Sequence, residues 1–103
     1  MNQEKSASNT QPKHWHLYII ENRLGQFYTG ITTDVERRLA EHSNSAAKGA
    51  KALRGKGPLI LRFVFAVGSK SAAASLEYWV KQQSRRTKLA IIDGSLPLPS
   101  DLS

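Results

Sequence analysis

Two runs rich in aromatic and β-branched residues, Trp15 to Glu21 and Phe27 to Thr32, stand only five residues apart, separated by Asn22-Arg23-Leu24-Gly25-Gln26. So short a connection lets two strands pair only as an antiparallel hairpin, and Asn and Gly supply the turn chemistry. With an odd number of loop residues, strand alternation places Tyr18, Ile20, Tyr28 and Gly30 on one face and Leu17, Ile19, Phe27 and Thr29 on the other. Two tyrosines then share a surface, and everything downstream has to be arranged around it.

The next segment, Thr33-Asp34-Val35-Glu36, has the form of a capping box led by Thr33, so a helix is expected over about 34–42. Its apolar anchors are Val35 and Leu39, with Arg38 and His42 bordering the inward stripe. Arg37 and Glu41 form an ordinary exposed pair four residues apart. Residues 43–58 interleave Asn44, Gly49, Gly55, Gly57 and Pro58 with Lys48, Lys51, Arg54 and Lys56, the composition of a mobile basic loop. Leu59 to Val67 is a nearly continuous apolar run broken by Arg62, with the length and content of a central strand. A second helix is predicted from a Ser71 cap to about Ser84, burying Ala73, Leu76, Val80 and Ser84. Glu77 falls by helical angle between Leu76 and Val80, where a charge needs a reason. A short last helix begins near Thr87, buries Leu89 and Ile91 or Ile92, and stops at Gly94. Residues 1–13 are polar and aperiodic and are expected to be a disordered leader; a domain over 14–94 and a flexible tail over 95–103 complete the organisation.

Charge narrows the function classes. The formal net charge is +7, and between Lys48 and Lys88 ten basic residues accompany a single carboxylate, Glu77. Such a surface favours a polyanionic partner. The chain has no cysteine, so disulfides and thiolate metal sites are excluded. No apolar run approaches a membrane span and the first residues lack a secretion signal, so a soluble cytoplasmic protein is expected. Each candidate residue also has a plain reading: Tyr18 and Tyr28 as a cross-strand aromatic pair, His42 as a helix C-terminal residue, Glu77 as the partner of Lys81. Trp15 and Trp79 read as packing residues.

The ordered set Leu17-Tyr18-Ile19, Tyr28-Thr29-Gly30, Arg38 ten residues past the second tyrosine, His42 one helical turn later and Glu77 on the following long helix resembles the GIY-YIG nuclease superfamily. The resemblance covers roughly Trp15 to Leu89 and is nearest to the small stand-alone bacterial branch. It implies an α+β fold, a three-stranded antiparallel sheet flanked by helices, and hydrolysis of DNA phosphodiesters with one divalent metal, magnesium or manganese. By that resemblance Glu77 is the metal ligand, Arg38 contacts the scissile phosphate, Tyr18 and Tyr28 orient or deprotonate the attacking water, and His42 assists. Lys48, Lys51, Arg54, Lys56, Arg62, Arg85 and Arg86 would hold the flanking backbone of the nucleic acid. Thr29 stands where the family name has isoleucine, Ile31 where some repair members have lysine, and no asparagine follows Glu77 to match certain homing members. A monomer acting in repair or recombination, with or without a protein partner, is the expected form. The alternatives are a binding module that keeps the fold without efficient cleavage, and a basic adaptor for an acidic protein.

Overall fold

A computed structural model describes residues 14–44 and 57–100. The predicted leader and the loop lysines and arginine Lys48, Lys51, Arg54 and Lys56 lie outside the described residues. The elements run β1 (Trp15–Glu21), β2 (Phe27–Thr32), α1 (Val35–Asn44), β3 (Ile60–Gly68), α2 (Lys70–Lys81) and α3 (Arg85–Ile92). The three strands form one antiparallel sheet in the order β2-β1-β3, the α+β arrangement expected from the sequence.

The hairpin turn is organised by Asn22. Its buried side-chain oxygen accepts from the amides of Leu24 and Gln26, and Gly25 takes the positive φ of +78° that the turn requires. The resulting register pairs Tyr18 with Gly30 and Ile20 with Tyr28, which puts these four residues on one face as strand alternation predicts.

The two faces have different fillings. Leu17 and Ile19 form a core with Leu76 and Val80 of α2, joined by Phe27, Ile31, Phe63, Val67, Trp79, Ile92 and Leu98. Tyr18 and Ile20 pack on the other face with Tyr28, Leu39 and Leu59. β1 therefore carries side chains buried on both sides. Here the prediction for the third apolar run is corrected: β1, not β3, is the central strand. β3 is an edge, with Ile60, Leu61, Val64 and Phe65 exposed. A continuous apolar run marks burial only if other elements cover both faces of its strand; among the described residues β3 pairs on one side alone and much of its surface stays open.

Helix ends also differ from expectation. Asp34, not Thr33, caps α1, its carboxylate accepting from the Arg37 amide at 3.1 Å. The α2 cap is Ser69, which accepts from the Ala72 amide, and the helix ends at Lys81. Ser84 is the N-cap of α3 rather than part of the α2 stripe, accepting from the Thr87 amide. In each case two capping-type residues stand close together, and backbone direction decides which one is used. Among the last apolar residues Ile91 is buried, Leu89 is substantially exposed, and Gly94 takes the left-handed φ expected of it.

The cap assignment has a direct test in thermal or denaturant unfolding. Asp34→Ala is expected to cost about 1 kcal/mol. Thr33→Ala should stay within about 0.5 kcal/mol of the parent, as for a surface change away from a cap.

Candidate active site

The centre of the site is the Tyr18 phenol, fixed by a gap in the opposing strand. A Cβ placed at Gly30 would stand 2.5 Å from the Tyr18 hydroxyl oxygen and 2.6 Å from Cζ, so the ring lies over the glycine in a space no other residue leaves open. Gly30 is thus a site-forming residue whose role was not evident beforehand. The hairpin register that sets it opposite Tyr18 was the available signal.

The hydroxyl is buried and its partners come from α1. Tyr18 Oη is 3.0 Å from His42 Nε2 in a buried contact, and the Arg38 guanidinium is near enough for its charge to act on the phenol. Tyr28 completes an aromatic triangle, its ring centroid 6.3 Å from that of Tyr18 and 5.4 Å, edge-on, from that of His42. The cross-strand tyrosine pair is therefore real, but it is one side of a polar cluster rather than a simple packing pair.

The electrostatics of the three groups fit one another. Burial, first, and then the Tyr28 phenol push the Tyr18 hydroxyl up to about 12, against the pull of Arg38. Burial, and secondarily the Arg38 charge, hold the His42 imidazole below its usual value. At neutral pH the phenol is then protonated and the imidazole uncharged, and in the tautomer with the His42 proton on Nδ1 the phenol donates to Nε2.

Arg38 has a second partner. Its Nη1 is 2.8 Å from Glu41 Oε1, and Glu41 is the main cause that raises the guanidinium further above its ordinary range. Arg37, the partner expected for Glu41, is only at the 4.0 Å limit. An i, i+3 spacing was as visible in the sequence as the i, i+4 one, and the inward lean of Arg38 decides between them.

Glu77 stands on α2, whose Leu76 and Val80 pack on the opposite face of the sheet from Tyr18. Its negative charge contributes to raising Tyr18, and its side chain is 3.1 Å from Lys81 Nζ, the plain helical pairing read from the sequence. Among the described residues no group of three or more His, Cys, Asp or Glu side chains could hold a metal. A lone carboxylate fits a magnesium-like ion that keeps most of its waters and takes further oxygens from a phosphate.

The outlying basic residues are placed as follows. Arg62 on β3 is exposed and ion-paired with Glu21 of β1. Arg85 stacks over the Phe27 ring at 4.5 Å and donates to the Gly25 carbonyl, bracing the hairpin turn. Arg86 is exposed on α3. Trp79 packs on the core, and Trp15 lies 5.3 Å beneath the Lys70 ammonium. No helix among the described residues is long and apolar enough to cross a membrane.

Residues 14–90 match the family described as the GIY-YIG catalytic domain. The chain is 56% identical over 79 residues to the UPF0213 protein in the potE 3′ region of Serratia liquefaciens, a match covering 77% of this chain and 76% of that one. It is 55% identical over 78 residues to a UPF0213 protein of Yersinia pestis (strain Pestoides F), covering 76% and 80%. The solution NMR structure of the UPF0213 protein BH0048 from Bacillus halodurans is similar at 44% identity and a TM-score of 0.51, covering 78% of this chain and 83% of that one.

Two measurements test this geometry. Gly30→Ala should drive the Tyr18 ring away from His42 and destabilise the fold by about 1–3 kcal/mol, read by unfolding and by loss of Tyr18–His42 contacts in NMR spectra. His42, followed by NMR, should titrate below about 6.5, its ordinary value. Because the unfolded chain then binds the proton first, the His42 contribution to stability is present above about pH 6.5 and is lost as pH falls through the folded value.

Proposed function

The chain belongs to the GIY-YIG family, and from that premise we propose that it is a divalent-metal-dependent endonuclease that hydrolyses phosphodiester bonds of DNA. The observation that carries this reading is the 3.0 Å contact between the Tyr18 hydroxyl and His42 Nε2, with the Arg38 charge acting on the same phenol. A buried phenol with a pKa near 12 is not ionised at neutral pH, so Tyr18 is not a ready-made base. It acts by passing its proton to His42 Nε2 as it takes one from water. The water oxygen forms a bond to phosphorus, and the bond from phosphorus to the leaving ester oxygen breaks. Protons balance: His42 leaves the step as imidazolium, and the leaving oxygen departs as an alkoxide that takes its proton from solvent.

Arg38 is placed to donate to the phosphate oxygens on which charge grows, while staying against Tyr18. Tyr28, half-buried beside both rings, orients the water. Glu77 would hold the metal, which when bound supplies positive charge against the phosphate oxygens. Arg62, Arg85 and Arg86, with Lys48, Lys51, Arg54 and Lys56, hold the flanking backbone without reading bases. We place the protein in the cytoplasm as a monomer acting in DNA repair or recombination, selecting substrates by shape or through a protein partner.

A second reading has its own observation. Glu77 is paired with Lys81 and Arg38 with Glu41, so the two charges the chemistry needs both have internal partners. On that reading the chain is a nucleic-acid-binding module with little catalysis.

Cleavage of single-stranded, duplex, nicked and branched DNA and of RNA, with magnesium, manganese or EDTA, separates the two. The expected outcome is metal-dependent cutting of DNA that falls by about a hundredfold or more in both Arg38→Ala and Glu77→Ala. Binding that persists without cutting under every metal condition establishes the second reading instead.

A further inference from the structure

Glu41 is an acidic side chain within hydrogen-bond reach of Arg38 that the chemistry above does not use. It lies one helical step from His42 and three residues from Arg38, on the same helix and with about a quarter of its side chain exposed. Arg38 is similarly half-buried, so their ion pair is shielded from water on the sheet side and open on the other. One carboxylate oxygen takes the Arg38 Nη1 at 2.8 Å, and the other lies 4.0 Å from Arg37 Nε. The Arg38 guanidinium is thereby held at Glu41, where its charge acts on the Tyr18 phenol.

We infer that Glu41 is a positioning residue: it holds the Arg38 guanidinium against Tyr18 before substrate arrives, so that the phosphate-contacting fork is already set. This rests on the nuclease reading for its consequence, though not for its geometry. An arginine on a helix has a long stem with several rotamers, and most of them carry the guanidinium into solvent. The 2.8 Å bond to Glu41 fixes one corner of the guanidinium plane and so removes most of those rotamers. Arg37, extended and mostly exposed, lacks this geometry and contributes only a weak second limb to the carboxylate.

A competing role makes the opposite forecast. A carboxylate that merely occupies the fork would have to be displaced by phosphate, and removing it would strengthen both binding and cutting. A carboxylate that only stabilises α1 would change the melting temperature and nothing else.

The test uses the full chain with Glu41→Ala, Glu41→Gln and, as a control for the other limb, Arg37→Ala. The Arg38 side-chain Nε–Hε signal is recorded by NMR without nucleic acid. Single-turnover cleavage and the Kd for DNA in EDTA are measured alongside, with circular dichroism and melting as checks of the fold. A defined Arg38 signal in the parent and in Arg37→Ala is expected to broaden or average in Glu41→Ala. The cleavage rate of bound DNA should fall about tenfold or more in Glu41→Ala, with Kd within about threefold. Glu41→Gln, which keeps an acceptor oxygen, should fall between Glu41→Ala and the parent. An Arg38 signal unchanged in Glu41→Ala overturns the inference, as does faster cutting with tighter binding. Should the parent protein not cut any DNA, the nuclease reading fails by itself, and the Arg38 signal still decides whether Glu41 orients the guanidinium.

Discussion

A missing side chain at Gly30 lets the Tyr18 ring lie across β2, and the rest of the site follows from where that ring then points. The ring sits on the central strand, where both faces are covered, so its hydroxyl is removed from water and must find partners in the protein. α1 supplies them. His42 and Arg38 lie one turn apart on the helix that crosses this face, and the Asp34 cap fixes where that helix begins. A helix started one residue earlier would turn both side chains by about 100°. The turn at Asn22, the register of the hairpin and the cap of α1 are thus parts of one positioning device, although none of them touches a substrate.

The sheet separates stability from chemistry. Leu17 and Ile19 point to one side, into the core made with α2 and α3, while Tyr18 and Ile20 point to the other. Changes in the first set act on folding and leave the polar cluster aligned. Changes in the second act on the cluster directly. Glu77 is the exception that links the two, since it is carried by the core helix α2 yet its charge is felt by Tyr18. Its ion pair with Lys81 gives the charge beside the buried stripe a structural partner. The place of Glu77 on α2 also means that packing of Leu76 and Val80 sets the distance between carboxylate and phenol.

Much of this was legible because the relevant signals are local. The hairpin follows from two strand-like runs and a five-residue turn, and its face assignment from a period of two. The stripe of Ala73, Leu76 and Val80 follows from a helical period and is buried as expected. The order of strands was less legible, because the apolar content of Leu59 to Val67 does not say which neighbours will cover it. Caps were misplaced by one or two residues where Thr33 competes with Asp34 and Ser71 with Ser69. The pairing of Glu41 with Arg38 instead of Arg37 depends on which way a long side chain leans, a tertiary outcome. The close approach at Gly30 needed the register of the hairpin and the rotamer of Tyr18 together.

On the proposed reading the phosphate to be cut is received between Arg38 and the Tyr18 phenol. The most direct measurement is a crystal structure of the protein with a non-hydrolysable phosphorothioate DNA in calcium. The expected result is a backbone phosphate on the Arg38 guanidinium, a solvent oxygen on the Tyr18 hydroxyl side and a cation at Glu77. DNA seated elsewhere, across Arg85 and Arg86 for instance, with no phosphate at Arg38, would contradict it.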